Sequence, residues 1–162
     1  MRAAPVLGPW LVIGAWALPA AAAAQRTPPV SPELRADAIV ARAASFQAGA
    51  GLEIPAGIYV RIGVDGAAGA AWRDGATATV GRADAIARFL LDPFREVPLG
   101  LSVGGGVSVP VGAPAGARSP HLVLVVDLEG RVHHGLAPAL QLGLGGGARI
   151  GLVLRRSAAQ WR

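Results

Sequence analysis

The chain has 162 residues, which is the length of one domain with a modest hydrophobic core. It contains no cysteine, so these residues cannot form a disulfide-stabilised fold. The formal net charge of +5 comes from arginines that are spread along the chain rather than clustered, which argues against a nucleic-acid partner.

Residues 1–24 have the three parts of a secretory signal peptide. Arg2 supplies a positive charge, residues 6–19 are apolar and uncharged, and residues 22–24 form an A-x-A cleavage site before Gln25. A membrane-spanning helix needs about 20 apolar residues, and the uncharged stretch at residues 3–24 is long enough, so a membrane anchor is the alternative. Two prolines interrupt this stretch, however, which disfavours a continuous spanning helix. We therefore predict an exported protein from which the signal peptide is cleaved.

The segment that follows, residues 25–44, has two parts. Residues 25–33 are polar and rich in proline, which predicts a linker without fixed structure. Residues 34–44 suit a short helix by propensity and equally suit a first strand, so both interpretations stay open.

From Ser45 onward apolar and small or polar residues alternate with a period of two, which is typical of half-buried strands. Residues 77–91 also suit a helix, and we favour a strand there. The strand-like segments, separated by turns rich in Gly, Pro and Asp, are residues 45–54, 58–64, 77–91, 99–109, 121–129 and 140–155.

These segments predict six strands, or seven to eight if residues 36–44 are extended or the last segment breaks at residues 145–147. Short connections and the absence of strand–helix alternation indicate an all-β fold, an antiparallel meander that closes into a small barrel. We predict a barrel-like domain over residues 45–156 and a C-terminal tail over residues 157–162.

Each predicted strand has one apolar face and one face of Gly, Ser and separated opposite charges. A narrow closed lumen can hold small residues around paired charges, whereas an exposed strand face gains little from glycine. We therefore favour a lumen, although solvated charges on an outer surface stay an alternative. The charged residues predicted to form this polar network are Glu53, Arg61, Arg82, Asp84, Arg88, Asp127, Glu129 and Arg149.

The segments SFQAGAGLEIPAGIYVRIGV and PALQLGLGGGARIGLVLRR resemble strands of small bacterial outer-membrane β-barrel proteins. The resemblance is one of pattern and covers about residues 45–156. It implies strands whose apolar side faces membrane lipid and whose polar side faces the lumen. The aromatic residues that would form the two interfacial girdles are Phe46, Tyr59, Trp72, Phe89 and Phe94.

Three local motifs resemble catalytic, nucleotide-binding or metal-binding sites, but their context does not support those functions. Residues 100–104 match G-x-S-x-G and residues 143–148 match G-x-G-x-x-A, but extended segments follow both where a helix is required. His133 and His134 are adjacent on a turn and diverge, so they do not form a metal site with Asp127. We predict no catalytic residue, cofactor or metal, and hence no enzyme.

Two functions remain in competition. The first is a non-enzymatic outer-membrane barrel with a structural or narrow-pore role. The alternative is a soluble periplasmic or secreted barrel that turns its Leu/Val/Ile face inward and binds an apolar small molecule there. The direction in which the apolar face points distinguishes them.

Overall fold

The computed structural model describes residues 30–94, 96–111 and 119–156. The predicted signal peptide and the predicted C-terminal tail lie outside these ranges. None of the described residues belongs to a helix long and apolar enough to cross a membrane.

Eight antiparallel strands form a closed barrel, which confirms the predicted all-β meander. Each strand pairs with the next in sequence, and the first pairs with the last, so no strand edge is left open along the wall. The strands are β1 (Ser31–Val40), β2 (Ala44–Pro55), β3 (Val60–Arg73), β4 (Ala76–Leu90), β5 (Gly100–Val111), β6 (His121–Glu129), β7 (Leu136–Leu144) and β8 (Ala148–Arg156).

The barrel has two ends, which we name by what they carry. The terminal end holds the start of β1, the end of β8 and the β2–β3, β4–β5 and β6–β7 connections. The distal end holds the β1–β2, β3–β4, β5–β6 and β7–β8 connections. The β3–β4 hairpin turns on Asp74 and Gly75, both with positive φ, which is the conformation that this Asp-Gly pair favours.

The first strand resolves one open alternative and corrects one prediction. Residues 31–40 are extended, so the helix interpretation of residues 34–44 is wrong. The predicted linker is also too long, because β1 begins at Ser31 and Glu33 is already buried in the barrel. The proline-rich composition gave no signal for this strand, which pairs with β2 along one edge and with β8 along the other.

Two further ambiguities are settled by the sheet. Residues 76–90 form β4, which confirms the strand favoured there over a helix. The last predicted segment breaks at residues 145–147, where three glycines with positive φ separate β7 from β8. Together with β1, this break raises the count to eight strands.

The apolar face of every strand points outward, and the face of charged, polar and small residues points into the lumen. Leu124 is 63% exposed and Leu152 is 66% exposed, whereas Arg88 on the opposite face is 1% exposed. The buried apolar cluster is small and consists of Ile86, Val123 and Val125. The inward apolar face required by the soluble-barrel alternative is therefore absent from the described strands. An eight-stranded barrel leaves an interior just wide enough for side chains, and charged ones occupy it here.

Candidate functional site: the charged lumen

The lumen is filled by charged and amide side chains that seven of the eight strands contribute, all except β5. Strand alternation places them there, because every second residue of a strand points to the same face. All of them are buried except Arg61, whose side chain is 24% exposed near the terminal end. They are Glu33, Arg35, Asp37, Gln47, Glu53, Arg61, Asp65, Arg82, Asp84, Arg88, Asp127, Glu129, Gln141, Arg149 and Arg155.

Arg35 on β1 holds the middle of the network. Its Nε donates to Asp37 at 2.8 Å, and one terminal nitrogen lies 2.6 Å from an Asp65 carboxylate oxygen on β3. The other terminal nitrogen donates to the side-chain oxygen of Gln141 at 2.5 Å. One guanidinium thus connects three strands across the barrel.

Towards the distal end, Arg82 and Arg149 share carboxylates. Arg82 donates to Asp84 at 2.9 Å, to Gln47 at 2.6 Å and to Asp37. Arg149 donates to the same oxygen of Asp84 at 2.6 Å. Asp84 therefore serves two guanidinium groups.

Towards the terminal end, carboxylates surround Arg88 and Arg155. Arg88 donates through Nε to Asp127 at 2.8 Å, and Arg155 donates to the same oxygen at 3.0 Å. Arg155 also reaches Glu33 at 3.1 Å and Glu129 at 3.3 Å. Asp127 is thus shared by two buried cations, and neighbouring glutamates add to their compensation.

Gln141 joins the central and terminal parts of the network. Its side-chain oxygen accepts from Arg35, and its side-chain nitrogen donates to Asp127 at 2.7 Å. An amide can do both at once, whereas a carboxylate can only accept and an arginine can only donate. Gln141 is fully buried, so its two bonds fix its orientation.

Glycines in the strands make room for these large side chains. A Cβ added at Gly63 would overlap a terminal nitrogen of Arg88, and one added at Gly151 would overlap an Asp37 oxygen. Both glycines face the lumen on strands next to the charged groups. These two glycines are therefore a steric requirement of the network.

The lumen is close to electrical neutrality. Its charged groups are six arginines and seven carboxylates, and each of these carboxylates lies within 4.0 Å of at least one arginine nitrogen. An unpaired ion in such an enclosed place would cost several kcal/mol. The near balance lets this many charges be buried together.

The eight predicted network residues all lie on the lumen side and take part in ion pairs. Arg61 bridges Glu53 at 3.1 Å and Glu129 at 3.2 Å at the terminal end. Arg82, Asp84 and Arg149 form the distal group described above, and Arg88 and Asp127 belong to the terminal group.

Sequence reasoning missed several members of the network. Asp65 and Arg155 have the same strand parity as the predicted Arg61 and Arg149, so parity alone could have found them. Glu33, Arg35 and Asp37 were missed because residues 25–33 were assigned to a linker and the following segment was undecided. Once β1 is extended, these three residues share one face.

The outward-facing aromatic residues of the described chain lie towards the two ends of the barrel. Tyr59, Phe89 and Phe94 are at the terminal end, where the Tyr59 and Phe89 rings stack with centroids 5.7 Å apart. Phe46 and Trp72 lie towards the distal end. Aliphatic residues, alanine and glycine make up the band between them.

The motifs rejected as chemical sites occupy plain structural positions. Ser102 is buried inside strand β5, which continues as far as Val111. His133 and His134 lie exposed in the β6–β7 turn with their rings edge to face, while Asp127 points into the lumen. Among the described residues, no group of three or more His, Cys, Asp or Glu side chains is arranged to hold a metal ion.

Comparisons with known proteins assign no family. No protein-family model matches the chain, and a search of the curated proteins finds no similar sequence.

Proposed function

We propose that this protein is a non-enzymatic β-barrel of the bacterial outer membrane, with a structural role and a lumen closed by its own side chains. Membrane lipid is the partner of its outer face. The proposal includes export through the predicted signal peptide at residues 1–24.

The observation that carries the proposal is the division of chemistry between the two faces. Large aliphatic side chains cover the outside while arginines and carboxylates are buried inside. In water, so wide an apolar exterior would be costly and would drive aggregation. In a bilayer, the same exterior is solvated by hydrocarbon, and a polar interior is the usual arrangement of membrane barrels.

The dimensions and the ends support the same proposal. The strands are 9 to 15 residues long, and about 9–11 tilted residues suffice to cross the hydrocarbon core. Closure satisfies the backbone groups of the wall, which hydrocarbon cannot do. The aromatic residues towards the two ends would lie at the two membrane–water interfaces.

Within this class, the lumen favours a structural role over a narrow pore. Arg88, Asp127 and Gln141 cross the interior with at most 1% of their surface exposed. An ion could pass only after several of these buried pairs had separated. A pore role would therefore need a second arrangement of the network.

The experiment that tests the location is fractionation of cells that express the full chain, combined with gel mobility before and after boiling. We expect the protein in the outer-membrane fraction, extractable only with detergent, and faster migration of the unheated form. Recovery as a soluble monodisperse protein without detergent would overturn the proposal and favour a periplasmic or secreted protein.

A second measurement separates the structural role from a pore. The purified barrel is inserted into planar bilayers, and single-channel conductance is recorded beside a known porin. We expect no steps above the lipid baseline. Reproducible conductance steps whose size changes in the Gln141→Ala variant would assign a pore instead, because Gln141 links the central and terminal parts of the lumen network.

A further inference from the structure

The lumen opens at the distal end into a cup of about 510 Å³. Arg82 and Arg149 form its floor with Gln47, and Arg42 and His121 stand at its rim. The walls between floor and rim are mainly apolar. The cup is therefore a water-accessible chamber above the closed network.

The lining of the cup is positively charged. Among the described residues that line it are three arginines and one histidine, and none of these lining residues is acidic. The two carboxylates nearest its floor, Asp37 and Asp84, lie beneath it and are already engaged by Arg82. A cavity with one sign of charge and low-dielectric walls concentrates ions of the opposite sign.

Arg149 has binding capacity that the fold does not use. It is 2% exposed, and its one hydrogen bond within the described residues goes to Asp84, which it shares with Arg82. Its Nε has no hydrogen-bond partner there. Arg149 lines the cavity, and the carboxylate that it meets among the described residues is shared with Arg82, so its guanidinium retains capacity to bind an anion.

The geometry points to the distal cup as a binding site for a phosphate monoester, with Arg149 at its floor and Arg42 at its rim as the main anion contacts. Guanidinium groups match phosphate oxygens in geometry and bind them through charge-assisted hydrogen bonds. A dianion suits this pair, because Arg149 shares Asp84 with Arg82 and Arg42 is in no ion pair with another described residue. The apolar walls, including Ile39 and Val80, would contact an alkyl substituent.

One glycine helps to shape the rim. Gly146 in the β7–β8 turn has a φ of +68°, and a Cβ there would stand 2.6 Å from Nε2 of His121. The bare backbone thus lets the imidazole pack against the turn at the mouth. His121 lines the same cavity as Arg149.

The test is calorimetric titration of the full mature barrel, folded in a non-ionic detergent at low chloride, with butyl phosphate and with butanol as the neutral control. We expect saturable binding of butyl phosphate and none of butanol. The Arg149→Gln/Asp84→Asn double variant removes one positive and one negative charge together, and we expect it to weaken binding about tenfold or more.

Two single variants make the test specific. Arg42→Gln changes an exposed rim residue and should weaken binding without threatening the fold, which covers the case in which the double variant fails to fold. Arg73→Gln lies at the same end on the β3–β4 hairpin, paired with Asp74 outside the cup, and should leave binding unchanged. Absence of saturable binding of both butyl phosphate and phosphatidic acid, full binding by the folded double variant, or an equal loss in Arg73→Gln would each overturn the proposal.

The source of the phosphate group is identified with two further probes. Inorganic phosphate binding as well as butyl phosphate would assign a free anion, and tighter binding of butyl phosphate would assign a soluble monoester. Saturation by phosphatidic acid in the micelle, with none by the soluble probes, would assign a lipid headgroup. In each case the binding must be weakened in the folded double variant if it occurs at the distal cup.

Discussion

The lumen and the outer face of this barrel are built from alternate residues of the same strands, yet they depend on their surroundings differently. Each lumen charge needs particular partners, such as Asp127, which serves Arg88, Arg155 and Gln141. An outer residue such as Leu152 needs only an apolar solvent. Substitutions should therefore have specific, partner-dependent effects inside and generic, depth-dependent effects outside.

The largest effect is expected from Asp127→Ala. The change leaves two buried arginines and one amide without their shared acceptor, and breaking a buried ion pair from one side costs about 3–5 kcal/mol. Urea unfolding of the barrel in lipid vesicles measures the free energy of unfolding. Asp74→Ala is the control, because Asp74 is exposed on a turn, and its change should stay within about 0.5 kcal/mol. Equal effects of the two changes would contradict a cooperative lumen network.

The next effect is expected on the outer face from Leu152→Arg. Leu152 lies in the middle of β8. If the outer face lies in lipid as proposed, an arginine there would be near the membrane midplane and would cost about 2–4 kcal/mol. The matched control is Val97→Arg in the exposed β4–β5 connection, which should change the free energy of unfolding in vesicles little. If Leu152→Arg proved as neutral as Val97→Arg, the outer face would not be in lipid.

The smallest effect is expected from Gly63→Ala, which adds one methyl group to the lumen. The new Cβ collides with the Arg88 guanidinium, and overpacking of this kind costs about 1–3 kcal/mol. Gly66→Ala on the same strand faces outward with its nearest heavy atom at 3.8 Å, so it should be neutral or mildly stabilising. Thermal unfolding of the two variants side by side checks the difference. A milder effect at Gly63 than at Gly66 would mean that the lumen is loosely packed.

Much of the fold was predictable from residue spacing, because strand periodicity is a local property. The alternation along residues 99–109 and 121–129 predicted β5 and β6 nearly to their ends. The first strand could not be distinguished from a helix, because the proline-rich segment before it and its own alanine-rich composition show no clear periodicity. The break between β7 and β8 stayed open because three consecutive glycines fit a turn and a strand bulge alike.

The network was predictable in part of its membership but not in its pairing. Parity placed Arg88, Asp127 and Arg149 on one face, but the sequence could not say which cation meets which carboxylate. Arg155 and Glu33 bond across 122 residues of sequence, because the last strand closes onto the first. The bridging role of Gln141 carried no sequence pattern, since a lone amide on a strand is an ordinary residue.

By itself the sequence determined that the chain is extended, that each strand has an apolar and a charged side, and which residues share a side, because these follow from the two-residue repeat of a strand. Closure, the inward direction of the charges and the choice of partners were decided only in three dimensions. A single strand has no inside or outside; these are defined only when β1 pairs with β8 and closes the barrel. The enclosed interior excludes water, so the charges within it must be paired.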